Sequence, residues 1–531
     1  MRSIAELSFG FADATNYRNS ENRNLFNKVF VRTSQLDALC QSNVHFLLGE
    51  KGVGKTAYAV YLANNNYKEI AASIKQLDET DYSKFVTLKS KQQLDLSDYK
   101  SIWKVIILTL LASDVIKTED PSVVRLSSQM KALKEAIEQY NQGAFSSEIG
   151  QALQFVTESK EAVKIIAKIL TASLEQKDAV TIAGNTFQTN LFYIQKNFER
   201  AFEQLRPQRS HVIFIDGIDV RPQDIPYDDY LSCIRGLANS VGELNSFFSN
   251  VKGDRKKMRV VLLLRPDIFS ALNLLNANAK LTDNSVYLKW TTEDNNYRKS
   301  EIFRVVDQLF EGQQGFALLP GKSWDSYFRW DADDFRKQSD PTSFVALLRL
   351  SYGRPRDFIQ MLKLLTSCVL SADPNALVFE KQWLNDNNFK RDYSDYVLGE
   401  VRDSFTFYFS IGEFETFLRF FSFLYGRTEF DYSYFIKAYG EYVTSEEKLQ
   451  KVLLVKSADE FLQFLYGLNV LCCFEVADDG SRFIRWSFKE RTFVNIRPKV
   501  AVGATYRIFA PLHKALNLGK PLRGEARRRN A

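Results

Sequence analysis

Gly49, Gly54, Lys55 and Thr56 stand in the spacing G-x-x-x-x-G-K-[ST] within "HFLLGEKGVGKTAYAVYLA", residues 45–63. The chemistry such a loop performs is the holding of phosphate. A turn of this kind aims successive backbone N–H groups at one point, and the following helix adds the positive end of its dipole. Gly49, Gly52 and Gly54 allow close backbone approach, and Glu50, Lys51 and Val53 complete the cradle. Lys55 carries a cation to β- and γ-phosphate oxygens, leaving the Thr56 hydroxyl for Mg2+.

Phosphate chemistry also needs a carboxylate near the metal. "HVIFIDGIDV" supplies one, because Val212–Ile215 is an apolar run and Asp216 follows where a buried strand would reach its carboxyl end. Asp219, three positions on, has two readings: it polarises an attacking water, or it caps a helix. In "RVVLLLRPDIF", Arg265 ends a third apolar run. At the carboxyl edge of a parallel sheet it would face the phosphates and steady the γ-phosphate charge; alternatively it is a surface arginine ahead of a Pro turn. The catalytic candidates are thus Asp216, Asp219 and Arg265, with Thr56 and Asp216 as the metal ligands. An N-K-x-D tetrad and an LSGGQ-type signature are both absent. Adenine nucleotide is therefore expected over guanine, with ATP and Mg2+ as cofactors.

The elements that must position these groups are legible as patterns. Val44–Leu48 reads as a buried strand, and Ala57, Val60 and Tyr61 share a helix face after the loop. Lys84–Ser90 ("KFVTLKS") is expected as the second strand, and Ser285–Trp290 as the strand that completes the sheet. Alternation of strand and helix implies a doubly wound parallel sheet. A helical insertion is expected over about 105–185, where Leu126, Met130, Leu133, Ile137 and Tyr140, then Val163, Ile166, Ile169 and Leu170, recur at helical spacing. "TNLFYIQKNFERAFEQL" reads as the crossover helix returning to the Asp216 strand.

Beyond Trp290 only helices are expected, interrupted at Gly353–Asp357 ("GRPRD"). There Pro355 opens a helix, Asp357 is free to cap it, and Arg354 and Arg356 either reach over a nucleotide or lie in solvent. From about Asp403 the order is helix, helix, helix, strand, Asp478–Gly480 turn, strand, the pattern of a winged helix. Its third helix, "SADEFLQFLYGLN", offers only Gln463 and Asn469 as base-reading types, so sequence-specific DNA recognition is not expected. Arg482, Arg485, Lys489 and Arg491 leave room for weak, sequence-independent nucleic-acid contact.

The totals set outer limits. The 531 residues suggest several domains, and a net charge of +6 is too mild to argue for nucleic acid. The 42 Phe and 24 Tyr foretell an aromatic interior. Five scattered Cys without CxxC spacing indicate neither a disulfide framework nor a zinc site. A start without a signal-like apolar region and the lack of any long apolar run imply a cytoplasmic chain without a membrane partner.

In combination, "GEKGVGKT", "IFIDGID", "LLLRPD" and "GRPRD" resemble the STAND and AAA+ branch of P-loop ATPases, and within it the bacterial NACHT- and KAP-like proteins. The resemblance spans roughly residues 25–490. It implies a P-loop NTPase core at 1–292, a helical lid at 293–402 in which Pro355 and Arg356 close on the nucleotide, a winged helix at 403–500 and a basic tail at 501–531. It also implies a slow ATP switch that senses a ligand and controls a protein partner or separate effector, with possible ATP-dependent homo-oligomers, in anti-phage defence. The alternative is a nucleic-acid-stimulated motor or loader in DNA maintenance. Val220 and Arg221 follow Asp219 where NACHT-type chains run DGxDE, which leaves the water-activating acid open.

Overall fold

Short runs of fully buried aliphatic residues build the centre of the chain, because a strand covered on both faces needs no polar alternation. The computed structural model describes residues 1–77, 98–120, 195–196, 198–223, 225–251, 257–331, 341–448, 457–476, 482–492 and 495–519. The expected strand at 84–90, both apolar stripes at 126–170, the Asp478–Gly480 turn and the end of the basic tail lie outside these residues.

The chain divides into two units. The α/β unit comprises Ser34–Gly49 and Lys55–Tyr287. It holds a five-stranded, all-parallel sheet of β1 (Phe46–Leu48), β2 (Ile70–Gln76), β3 (Ser210–Asp216), β4 (Met258–Leu264) and β5 (Ser285–Tyr287), in the order β2-β3-β4-β1-β5. β3 ends at Asp216, and β1 and β4 end one residue before Gly49 and Arg265. Helix α1 (Lys55–Asn65) follows the glycine loop and packs on β2; α2 (Asp98–Thr118) packs against α3 (Tyr227–Asn250), which also covers β4. Asn245 ties α3 to the sheet, accepting from Val260 N at 2.8 Å and donating to Val260 O at 2.9 Å. Part of the expected crossover helix is present at residues 198–204.

The helix-rich unit comprises Met1–Thr33, Glu50–Gly54 and Leu288–Ala531. Its amino-terminal helix, Ser20–Val29, packs on α4 (Glu301–Glu311), and Gln308 Nε2 donates to Lys28 O at 2.9 Å. Around α4 the Phe-rich composition becomes a ring lattice in which Trp324 and Phe328 stack at 4.0 Å. Pro355 sits in the first turn of α5 (Pro355–Ala372), which packs on α6 (Asn387–Phe405). Then come α7 (Ile411–Arg419), α8 (Tyr432–Lys448) and α9 (Ala458–Gly467), interleaved with β6 (Glu429–Asp431) and followed by β7 (Leu471–Val476), β8 (Arg482–Arg485) and β9 (Thr505–Ile508). These four strands form an antiparallel sheet in the order β6-β9-β7-β8. All five cysteines are free thiols. Among the described residues no helix is long and apolar enough to cross a membrane.

Candidate phosphate-binding site

In the α/β unit β1 and β4 are neighbours, yet the chain leaves β1 toward the β2 side of the sheet and leaves β4 toward β5. Opposed exits of this kind open a crevice at the carboxyl ends of the two strands, where α/β sheets take their ligands. Gly49 N donates to Leu264 O there at 3.2 Å, so the glycine loop starts at this crevice.

Four sequence-predicted residues meet at this edge. Thr56 Oγ1 donates to Asp216 Oδ2 at 2.5 Å, and Gly217 N donates to Asp216 Oδ1 at 2.9 Å. The Lys55 side chain is 6% exposed; its ammonium donates to Gly49 O at 2.9 Å and meets Asp219 Oδ2 at 3.4 Å. Asp219 Oδ1 is buried and accepts no hydrogen bond among the described residues. The turn that returns Asp219 to Lys55 requires glycine at its start. Gly217 has φ +87°, and a Cβ on it would lie 2.3 Å from Leu77 O. Ile218 is buried, and its carbonyl accepts from Tyr230 Oη at 2.5 Å. The next described helix opens at Tyr227 with Pro226 as its N-cap, so Asp219 does not cap it.

Burial pushes the Asp216 carboxyl above its ordinary range; the Thr56 bond opposes this, and the charge of Asp219 adds to it. Two carboxylates facing one lysine leave negative charge in excess, which a divalent cation would offset. Among the described residues no group of three or more His, Cys, Asp or Glu forms a metal cage. The Thr56 and Asp216 pair suits Mg2+ all the same, since that ion takes one or two protein ligands and fills its octahedron with phosphate and water. Arg265 is buried at 4% exposure rather than lying on the surface. Asp267 grips it with both carboxylate oxygens, at 3.0 Å from Nε and more closely from Nη2.

The rest of the loop, Glu50–Gly54, is held inside the helix-rich unit. Gly52 and Gly54 adopt φ +85° and +98°. Lys51 O accepts from Arg354 Nη1 at 2.8 Å, Gly52 O from Arg356 N at 3.4 Å, and Val53 O from Trp290 Nε1 at 2.8 Å. Glu50 pairs with Arg491 and Lys51 with Asp403. Pro355 opens α5 beside these contacts, while Arg356 donates through Nε to Ala12 O at 3.1 Å and pairs with Glu400 at 3.5 Å. Asp357 accepts from Tyr352 N at 2.8 Å and seats Arg354. Burial pushes Glu400 up, but Arg354, Lys51 and Arg356 outweigh it and hold the carboxyl below its ordinary value. The sequence pattern offers Arg354 only as reaching over a nucleotide and Arg491 only as a weak nucleic-acid contact, and it marks neither Trp290 as a loop contact nor Glu400 at all. Nothing periodic marks any of them.

A scan of protein families finds none that matches the chain, and a search of curated proteins finds no match either.

Proposed function

We propose that this chain binds ATP with Mg2+ and hydrolyses it slowly, as a STAND/AAA+-type P-loop switch built on a doubly wound core. The observation carrying the proposal is the joining of Lys55, Thr56, Asp216 and Asp219 at the carboxyl edge of one parallel sheet. Each has work to do there. Lys55 exchanges Gly49 O for β- and γ-phosphate oxygens, and Thr56 and Asp216 hold the metal, which when bound neutralises phosphate charge. Asp219 takes the proton of the attacking water through Oδ1 as the bond from γ-phosphorus to the bridging oxygen breaks, giving ADP and phosphate. Arg265, preset by Asp267, meets the γ-phosphate charge.

The last part of the chain, read as a winged helix, is proposed to engage a protein partner rather than DNA bases. Gln463 supports this: its amide donates to Pro498 O and accepts from Val500 N, both at 3.0 Å. Asn469 Oδ1 accepts from Phe488 N at 2.9 Å. Gln463 on α9 and Asn469 just beyond its end are thus both used in internal packing. Of the four basic residues beyond it, Arg491 pairs with Glu50, and Arg485 with Glu490 at 2.5 Å. By the motif resemblance, the switch would serve anti-phage defence.

The deciding measurement is ATPase activity of the purified chain with and without DNA or RNA, alongside its mass with and without ATP. ATP-dependent assembly without nucleic-acid stimulation supports the switch. Stimulation of severalfold by DNA would move the assignment to a motor or loader, and absence of turnover would leave a nucleotide-binding scaffold.

A further inference from the structure

Three carbonyls of the glycine loop, those of Lys51, Gly52 and Val53, are turned toward donors on Arg354, the N-cap of α5, on Arg356 of α5 and on Trp290. In a planar trans peptide the N–H of the next residue points opposite to the carbonyl. Fixing these three oxygens therefore fixes the direction of the N–H groups of Gly52, Val53 and Gly54. The glycines cannot fix it themselves, because a residue without Cβ enters left- and right-handed regions with similar ease. A Cβ at Gly52 would lie 3.2 Å from Arg356 Cβ, so the α5 side of the loop is closely filled.

The donors are themselves anchored. Arg354 is 7% exposed and spends Nε and Nη2 on Asp357, at 3.0 and 2.6 Å, while Nη1 reaches both Lys51 O and Glu400, the latter at 3.2 Å. Asp357 accepts a further bond from Tyr396 Oη at 3.1 Å. Lys51, Arg354 and Arg356 face Asp357, Glu400 and Asp403 in a charge-balanced cluster. Arg491, 5% exposed and seated on Ser487 Oγ at 3.2 Å, holds the side chain of Glu50.

We infer that Arg354, Trp290 and Arg491 are positioning residues for nucleotide binding: they set the glycine loop in its phosphate-accepting conformation from outside the loop. The inference rests on the ATP-binding reading of Lys55 and Thr56 and adds residues that touch no nucleotide. A cradle oriented in advance loses less order on binding, so its supports contribute to affinity without contacting the ligand. The loop holds phosphates common to ADP and ATP, so loosening it weakens both alike.

The test uses the full chain, with amide hydrogen exchange of the 45–63 segment in the absence of nucleotide and Kd values for Mg-ADP and Mg-ATP. Trp290→Phe deletes one donor while keeping most of the packing; it should raise exchange at Gly52–Gly54 and weaken both nucleotides about fivefold, with an unchanged melting temperature. Arg354→Lys should fail to substitute, since one ammonium cannot span Asp357, Glu400 and Lys51 O together. Glu50→Arg and Arg491→Glu should each weaken both nucleotides, and the double swap should restore them. Unaltered exchange and affinity in Trp290→Phe, or a double swap no better than either single, would overturn the positioning role while leaving the ATPase reading in place. Failure of the unsubstituted chain to bind either nucleotide would sink that reading and the positioning role with it.

Discussion

Thr56 donates a hydrogen bond to Asp216 at 2.5 Å, joining positions 160 residues apart. In the Mg2+-ATP reading proposed above, this hydroxyl and this carboxylate hold one cation. Asp216→Ala should therefore remove the Mg2+-dependent part of ATP affinity and leave the remainder. Titrations with Mg2+ and with EDTA separate the two parts. Lys55→Ala should cost about 1.5–3 kcal/mol, more than tenfold, with or without the metal. Unchanged ATP binding in both variants would end the site assignment.

Asp219 pairs with Lys55 through Oδ2 and keeps Oδ1 buried without a hydrogen bond among the described residues. Asp219→Asn keeps the shape and loses the base. It should retain ATP and slow hydrolysis by about 10²- to 10⁴-fold, the usual worth of a general base. Single-turnover rates equal to those of the unsubstituted chain would reduce Asp219 to a partner of Lys55.

Arg265 and Arg356 carry a selectivity prediction. If both report the γ-phosphate, alanine at either position weakens ATP more than ADP. Asp267→Asn, which loosens the Arg265 seat, should shift selectivity in the same direction by less. For Arg356, bonded to Ala12 O and Glu400, equal loss of ADP and ATP would mark a purely structural part.

Stability of the α/β unit should fall as pH drops below about 6.5. Burial pushes His211 below its ordinary 6.5, and the Glu119 bond at 2.6 Å opposes this only in part. Burial first, then Arg259 and Lys280, pushes His45 down to about 4. The unfolded chain therefore takes up protons before the folded one does, and stability present above pH 6.5 is lost through this window. Glu119 adds a loss at lower pH: burial pushes it up, but His211 and the N–H groups of Gln208 and Arg209 hold it below its ordinary 4.5. Urea midpoints at pH 7.5 and 5.5 should differ, and His211→Asn should narrow the difference.

The full chain should show no sequence-selective duplex binding, and any residual binding should fall steeply with salt. Gln463→Ala should lower the melting temperature by removing both bonds to the 498–500 segment. Nanomolar, sequence-selective binding abolished by that substitution would instead make α9 a recognition helix.

What could be read in advance divides by locality. β1, β3 and β4 stand out because each carries a short apolar run, and the meeting of Thr56 with Asp216 and of Lys55 with Asp219 follows from strands ending where those runs end. β2 was missed: "IAASIKQ" mixes Ala, Ser and Lys with two Ile, and it is preceded by Asn66, Lys68 and Glu69 in left-handed conformations that non-glycine residues rarely announce. β9 was missed too, because Thr505–Ile508 is four residues long and lies in a basic segment, yet it pairs with both β6 and β7. Glu400, Trp290 and the loop partner of Arg354 could not be found by spacing, since these contacts join the loop to residues far along the chain.

The interleaving of the two units sets an order of events during synthesis. The amino-terminal helix must await α4, since Gln308 reaches Lys28 across 280 positions, and Arg491 emerges 441 positions after the Glu50 it holds. At about 5–20 residues per second, the ribosome leaves the glycine loop without that anchor for about 20–90 s. The motif most legible in the sequence is therefore completed from far along the chain, and a nascent chain carries it without that anchor until Arg491 has been made.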